Sequence, residues 1–450
     1  MQKELPMTRK LGMLPFILIL AGSAMAQDYQ SLGRAFVEDL FARRFDKVAA
    51  QFDATMAKAL PADKIPAMLD QILGGLGPFK EITGTRVEEQ GGFHVVLVAC
   101  RFEKTPIDVS VAFDSSGRVA GLHFVPHSEA ATEWRAPAYA NLDRFQEREV
   151  TVGSGEWQLP GLLSLPVGTG PFPAIVLVHG SGPHDADETI LSNKPFKDLA
   201  WGLSSRGVAV LRYTKRTLKY GNQIAQGPAN FTVKEETIDD AAAAAVLLSK
   251  MPEIDSRHIY ILGHSMGGML APRIAASSRE ISGIILMAGS TRPMEDSAVE
   301  QIRYLASLNG KMTEDGEKQV RQAEEDAREI KSPTLSPTAT VTFVGAKIPG
   351  SYFLDLRRYN PAEVAAGLTI PILVLQGERD YQVTMKDFDG WKKALEGKSN
   401  ARFKLYPSLT HLFMPSASPG SGLGTPMDYQ KPQHVSESVI SDIASWILSK

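Results

Sequence analysis

The run Ile259-Tyr260-Ile261-Leu262-Gly263-His264-Ser265-Met266-Gly267-Gly268 sets an apolar strand directly before a glycine-flanked serine and a helical stretch. A chain that passes from buried strand to helix in so few residues has to turn tightly. Only small residues let the two backbones approach, and Gly263 and Gly267 supply them. Such a turn pushes Ser265 Oγ clear of the sheet, and the start of the following helix leaves backbone N–H groups free to meet an anion. Ser265 is therefore the candidate nucleophile. In a chain with 38 glycines the same five residues also read as a glycine-rich turn, so the weight rests on what accompanies them.

Two further strands end in polar loops. Ile372-Leu373-Val374-Leu375-Gln376-Gly377 leads to Glu378-Arg379-Asp380, and Phe403-Lys404-Leu405-Tyr406-Pro407 leads to Ser408-Leu409-Thr410-His411. Ser265, Asp380 and His411 thus follow apolar strands in the chain order of an α/β-hydrolase triad. Upstream, Ala174 to Val178 runs into His179-Gly180-Ser181-Gly182-Pro183, the position from which such folds draw part of an oxyanion hole. A serine hydroxyl is a poor nucleophile at neutral pH and needs a positioned base. His411 is expected to take the Ser265 proton and return it to the leaving group, with Asp380 holding the imidazole tautomer and stabilising the imidazolium. The oxyanion donors are expected to be the N–H groups of Met266 and of Ser181, with Gly182 as the alternative to Ser181; each is typically worth about 3 kcal/mol.

The neighbouring polar residues have simpler readings. His264 reads as a structural residue of the turn, because adjacent side chains on such a turn diverge. His179 reads as a brace for the oxyanion loop, and His184 is a candidate for reaching substrate. Glu378 is a possible substitute for Asp380, which matches the loop position better. Asp185, Asp187 and Glu188 either form solvated or locally paired loop charges, the simpler case, or bind a cation or a substrate amine.

A formal net charge of −3 offers no overall field for nucleic acid or an anionic membrane. The single cysteine, Cys100, excludes an internal disulfide and sits in an apolar strand pattern, so it is given no catalytic role. No cofactor and no metal site is expected. At the N-terminus, Lys3, Arg9 and Lys10 precede the apolar run Leu11 to Leu20, and Ala24-Met25-Ala26 offers a cleavage site. Residues 1–26 therefore read as a signal peptide. The apolar run is short for a membrane span and contains Pro15, although a retained anchor is the rival reading. The expected location is a bacterial periplasm or the medium, with no membrane association after cleavage, a small-molecule ester as partner and a possible homodimer.

The 450 residues suffice for more than one domain. From Tyr29 to about Leu73, Phe36, Leu40, Phe41, Phe45, Val48 and Phe52 recur at helical spacings. Phe93 to Phe102, Ile107 to Phe113 and Val119 to Val125 then read as strands, with a hairpin at Asp114-Ser115-Ser116-Gly117. Residues 28–126 form a small α+β domain by this pattern, in which His94 and His123 are strand residues, not ligands. Residues 127–145 read as a linker and 146–450 as the catalytic domain. There, strands at Ala174 to Val178, Val208 to Leu211, Ile259 to Leu262, Ile284 to Met287, Ile372 to Leu375 and Phe403 to Leu405 alternate with amphipathic helices. This is the pattern of an α/β fold with a mostly parallel sheet covered on both faces. An insertion over about 291–368, with a charged helix from Thr313 to Ile330, occupies the chain position of a lid. Its Phe343, Tyr352 and Phe353 are candidates for lining a pocket.

Ser181-Gly182-Pro183, Asp187-Glu188-Thr189, Asn193 to Ala200, and Arg212-Tyr213 with Lys215-Arg216 resemble bacterial α/β-hydrolase esterases of the EstD-like group, related to the serine aminopeptidase and dienelactone hydrolase families. The N-terminal domain resembles the nuclear-transport-factor-2-like cone fold. The resemblance implies an eight-stranded α/β-hydrolase sheet with a helical lid, a triad at Ser265, Asp380 and His411, and a carboxylesterase favouring short acyl chains. One departure is Thr214, where such relatives carry Asp, which puts the bracing of that loop in question. A serine aminopeptidase or amidase with the same triad, an acyltransferase and a non-catalytic binding protein are the competing readings.

Overall fold

The computed structural model describes residues 29–90, 93–127, 134–225, 230–308, 310, 312–417 and 422–450. The expected signal peptide lies outside them. The chain divides into two compact units, Met1–Ala130 and Ala131–Lys450.

In the first unit, β1 (Phe79–Gln90), β2 (Phe93–Phe102), β3 (Pro106–Phe113) and β4 (Val119–Pro126) pair in sequence order as an antiparallel sheet. Phe36, Leu40 and Leu69 from the helices Tyr29–Phe41 and Ile65–Leu76 pack with Val96, Val98, Val109 and Val111. The β3–β4 turn is closed by Asp114, whose Oδ1 accepts the N–H groups of Ser116 and Arg118 at 2.9 Å each. The sequence reading starts this sheet at Phe93 and misses β1. That strand carries Glu81, Arg86 and Glu88 among few apolar residues, so long-range pairing with β2 defines it where side-chain periodicity does not. Cys100 is buried and its thiol is pushed up to about 12 by burial, which leaves it unreactive. His94 stacks on Tyr29 with ring centroids 3.9 Å apart, as a strand residue packed at the sheet.

The second unit contains β5 (Phe145–Val152), β6 (Leu159–Pro166), β7 (Phe172–Val178), β8 (Ala209–Tyr213), β9 (Ile254–His264), β10 (Gly283–Met287), the hairpin β11 (Thr340–Phe343) and β12 (Ala346–Pro349), then β13 (Ile372–Gly377) and β14 (Ala401–Tyr406). Eight of these form one sheet in the order β14-β13-β10-β9-β7-β8-β6-β5, in which β6 alone is antiparallel to its neighbours. Alternate strand residues serve opposite faces. Val176, Ile261, Ile284 and Val374 pack under the helices Asp239–Ser249 and Met266–Ser277. Ile175, Leu177, Leu262, Ile285 and Leu373 pack under Pro195–Ser204 and Glu437–Leu448. Both faces are covered, which is why the strands read as continuous apolar runs.

The register sets the site. Val178 pairs with Gly263, His264 with Met287, and Met287 with Leu375, so the loops after β7, β9, β10 and β13 leave one edge of the sheet together. This is the carboxyl edge, where open parallel sheets place their ligands. Between β10 and β13 the insertion carries the helices Met294–Ser307, Glu314–Ile330, Gly350–Arg357 and Pro361–Gly367 with the hairpin β11–β12, which the sequence reading did not contain. Thr313 caps the charged helix by accepting the Gly316 N–H. Phe353 and Tyr352 are buried, and the Phe343 ring meets Phe353 edge-on at 5.3 Å.

The expected linker is docked in its second half. Asp198, fully buried, accepts Trp134 Nε1–H at 3.1 Å, the His434 ring at 3.0 Å and the Val435 N–H at 2.9 Å, and Tyr139 OH donates to the Val435 carbonyl at 2.8 Å. At the opposite side of the sheet Trp391, 1% exposed, donates from Nε1 to the Gly289 carbonyl at 2.7 Å. Trp391→Ala is expected to lower stability by about 3–5 kcal/mol through the cavity it leaves, read as a lower urea midpoint with an unchanged m-value.

Candidate active site

The turn after β9 is as tight as its glycines suggest. Ser265 has φ 55° and ψ −116°, a strained conformation for a residue with a side chain, and stands as N-cap of Met266–Ser277. A Cβ on Gly267 would lie 2.2 Å from the Val178 carbonyl oxygen, and one on Gly263 would lie 2.1 Å from the Gly267 oxygen. No side chain fits at either position. Gly180 is close as well, since a Cβ there would stand 3.2 Å from Ser265 Cβ. The loop after β7 is therefore packed against Ser265.

His411 Nδ1 lies 2.6 Å from Asp380 Oδ2, with the aspartate fully buried and His411 3% exposed. Asp380 Oδ1 accepts the N–H groups of Gln382 at 2.7 Å and Val383 at 3.0 Å, which fix the carboxylate from its far side. Glu378, the possible substitute, is exposed. The His411 carbonyl lies 3.0 Å from His264 Nε2, and the two rings are 4.6 Å apart, so His411 is held beside the residue preceding Ser265. Among the described residues, no hydrogen-bond partner takes the N–H of Ser181 or of Met266.

His264 is more than a turn residue. Its Nε2 faces a carbonyl, which can only accept, and its Nδ1 lies 2.8 Å from Glu188 Oε2. The second contact is off the line a hydrogen bond prefers, so its attraction is that of an ion pair. Both residues are buried. Burial pushes the Glu188 carboxyl up, but the His264 charge beside it outweighs this and holds the group at about 2. Burial pushes the His264 ring down, yet Glu188 and the His411 carbonyl raise it above its ordinary value. The pair is an imidazolium carboxylate. Glu188 Oε1 also accepts the Gly180 N–H at 2.7 Å.

The remaining loop residues are braced internally. His179 donates from Nε2 to the Asp185 carbonyl at 2.9 Å, and burial pushes its ring down to about 3, so it is a neutral strut. His184 Nε2 is bonded to the Ser181 carbonyl at 2.8 Å. Asp185 accepts from the N–H and hydroxyl of Thr189 at 2.9 and 2.6 Å. Asp187 meets buried Arg212 at 2.9 Å and Lys194 at 3.0 Å, while Arg212 also reaches Glu147 at 2.6 Å. Thr214 contributes a backbone bond to the Pro160 carbonyl at 2.8 Å, and the bracing expected of an aspartate there comes from Arg212 and Lys215. Sequence reasoning missed Glu188 as a buried partner, and it read Lys215 only as part of the Arg212-Tyr213 and Lys215-Arg216 motif, without a role.

The pair His264–Glu188 predicts a pH window. The Glu188 value is depressed from 4.5, so its contribution is lost as pH falls from about 4.5 toward about 2. The His264 value is raised from 6.5, so its contribution is full below that pH and lost as pH rises through the raised value. The stability gap between the natural protein and the doubly neutral variant Glu188→Gln/His264→Gln is therefore expected to be widest between pH 4.5 and 6.5 and to narrow on either side. Urea midpoints across pH measure it, and a flat gap removes the assignment.

Comparison with known proteins agrees with this geometry. Residues 34–122 match a protein family of unknown function, and residues 175–420 match the alpha/beta hydrolase family. Esterase EstD of Thermotoga maritima is 36% identical over 433 residues, 96% of this chain and 98% of that protein. Among solved structures, Est1E from Butyrivibrio proteoclasticus is 16% identical with a TM-score of 0.43, covering 67% of this chain and 99% of that one. The esterase domain of a Rhodothermus marinus protein is 18% identical with a TM-score of 0.41, covering 67% and 97%. With the family match over residues 175–420 and the 36% identical EstD, beside the sheet order and the serine turn, the chain belongs to the α/β hydrolase family.

Proposed function

We propose that this chain is a serine carboxylesterase that forms an acyl-enzyme on Ser265. One observation carries the reading: a strained serine against the Gly180 loop, next in the chain to His264, which holds the carbonyl of His411, whose ring is oriented by its 2.6 Å contact with Asp380. His411 takes the Ser265 proton as Oγ attacks the ester carbonyl, and the tetrahedral oxyanion meets the N–H groups of Ser181 and Met266. Collapse releases the alcohol with the proton from His411, and water repeats the sequence on the acyl-enzyme. The relative named an esterase supports the choice of an ester over an amide. So does the fate of the acidic loop, because an aminopeptidase needs a carboxylate for the substrate amine. Here Asp185, Asp187 and Glu188 are each engaged by internal partners.

A preference for short acyl chains is part of the proposal. A series of p-nitrophenyl esters from acetyl to long acyl, with an aminoacyl anilide alongside, tests both points. Short esters are expected to turn over fastest. Ser265→Ala is expected to abolish turnover, and Asp380→Asn to lower kcat by about 10⁴-fold through the wrong imidazole tautomer. Activity confined to the anilide would overturn the esterase assignment. We also propose export, on the basic residues, apolar run and Ala24-Met25-Ala26 of the N-terminus. The mass of the protein recovered from a bacterial periplasm is expected to correspond to a chain beginning at Gln27; an intact Met1 sinks the proposal.

A further inference from the structure

Gly180 has both of its backbone polar groups held by buried charges. Its N–H donates to Glu188 Oε1 at 2.7 Å, and its carbonyl accepts from Lys215 Nζ at 2.7 Å. Lys215 is 2% exposed and lies 2.9 Å from Oε1 of Glu236, itself 5% exposed. The other oxygen of Glu236 accepts the Tyr352 hydroxyl at 2.6 Å, and the same hydroxyl lies 3.4 Å from Met266 Sδ. Tyr352 belongs to the insertion between β10 and β13. A continuous line of contacts thus runs from the insertion through two buried charges to the glycine packed against Ser265.

The direction of these contacts matters. In a trans peptide the C=O and N–H point to opposite sides of the chain. Lys215 takes the Gly180 carbonyl, so the N–H of Ser181, in the same peptide plane, is turned away from Lys215. Glu188 takes the N–H of Gly180 and withdraws it as a donor. The loop is left with Ser181 as its aimed donor, in a peptide polarised by a cation on its carbonyl, which strengthens the N–H. We propose that Lys215 and Glu188 are positioning residues for the oxyanion hole, gripping Gly180 from both sides so that the Ser181 N–H is fixed before the reaction, and that Tyr352 sets Lys215 through Glu236. The inference rests on the acyl-enzyme reading of Ser265. Its physical value lies in preorganisation: a donor already aimed at the developing charge needs no rearrangement when that charge appears.

The choice of charged groups for this task is consistent with their cost. A buried ion pair adds little net stability compared with apolar residues of the same volume. A charge-assisted hydrogen bond, however, holds a peptide plane more firmly than a neutral one. Glu236 has both oxygens occupied, by Lys215 and by Tyr352, so the lysine is kept on the line to Gly180.

The test uses the full chain and a phenacyl-type trifluoromethyl ketone. Its carbonyl carbon bonds to Ser265 Oγ, the serine proton passes to His411, and the resulting hemiketal oxyanion occupies the hole. The variants are Lys215→Met/Glu236→Gln, which removes both charges together, Lys215→Arg and Tyr352→Phe. In the double variant kcat/KM for p-nitrophenyl acetate is expected to fall by about 10–100-fold, less than complete loss of one donor. The inhibition constant of the ketone is expected to rise by the same factor, while KM and the affinity for the corresponding unreactive alcohol stay constant. Tyr352→Phe is expected to move kcat and the ketone in the same direction by about 3–10-fold, and Lys215→Arg to fall between. Should the double variant not fold, these two single variants carry the test. Wild-type kcat and ketone affinity in folded variants overturn the inference, as does an equal loss of ketone and alcohol binding, the mark of general loosening. Ser265→Ala separates the two levels. If it is inactive while the Lys215 variants behave as wild type, the positioning role alone is wrong; if it still turns over ester, the acyl-enzyme reading falls with it.

Discussion

The structure depends on one backbone contact, between the end of β7 and the helix that follows Ser265. A Cβ on Gly267 would lie 2.2 Å from the Val178 carbonyl oxygen, and one on Gly268 would lie 2.9 Å from the Gly289 Cα. Three chain segments therefore meet with no side chain between them. That contact forces the positive φ of Ser265, and the energy of the strained conformation is carried by the surrounding sheet and helix packing. The large apolar clusters on both faces of the sheet are what make this possible, since a loose scaffold would relax the turn.

Around this contact the protein invests in buried charge. His264 with Glu188, and Lys215 with Glu236, are two ion pairs with almost no solvent exposure, joined to the Ser265 turn or to Gly180 beside it. Each member has additional partners: the His411 carbonyl for His264, the Gly180 N–H for Glu188, the Gly180 carbonyl for Lys215 and Tyr352 for Glu236. In a low-dielectric interior such networks are costly when incomplete and rigid when complete. The result is a candidate site in which the Ser265 turn, the His411 loop and the Gly180 loop are fastened to one another, not merely adjacent.

The sequence made the strands and the order of their terminal residues legible because strand cores read as continuous apolar runs and the turn residues are local. Gly263, Ser265 and Gly267 interact within five positions, so their pattern survives in one dimension. Glu188 and Lys215 were not legible for the opposite reason. Glu188 looks like one of three acids on a polar loop, and its burial against His264 depends on a partner 76 residues away, whereas Lys215 meets Gly180 across 35 residues. Periodicity carries no information about such pairings. The same limit hid β1, whose charged side chains mask a strand defined by its neighbour, and the bond from the Tyr352 hydroxyl to Glu236, 116 residues away.

Asp198 has a consequence for how the second unit can be cut. Its carboxylate is pushed up by burial and is satisfied from two distant parts of the chain, Trp134 on one side and His434 with the Val435 N–H on the other. Excision of the hydrolase unit at the start of β5 would remove the indole and strip one donor from a buried acid, while trimming the last helix together with the segment before it would remove the other two. A self-sufficient fragment therefore has to begin upstream of Trp134 and retain the chain through that helix, even though the eight strands of the sheet all lie between Phe145 and Tyr406.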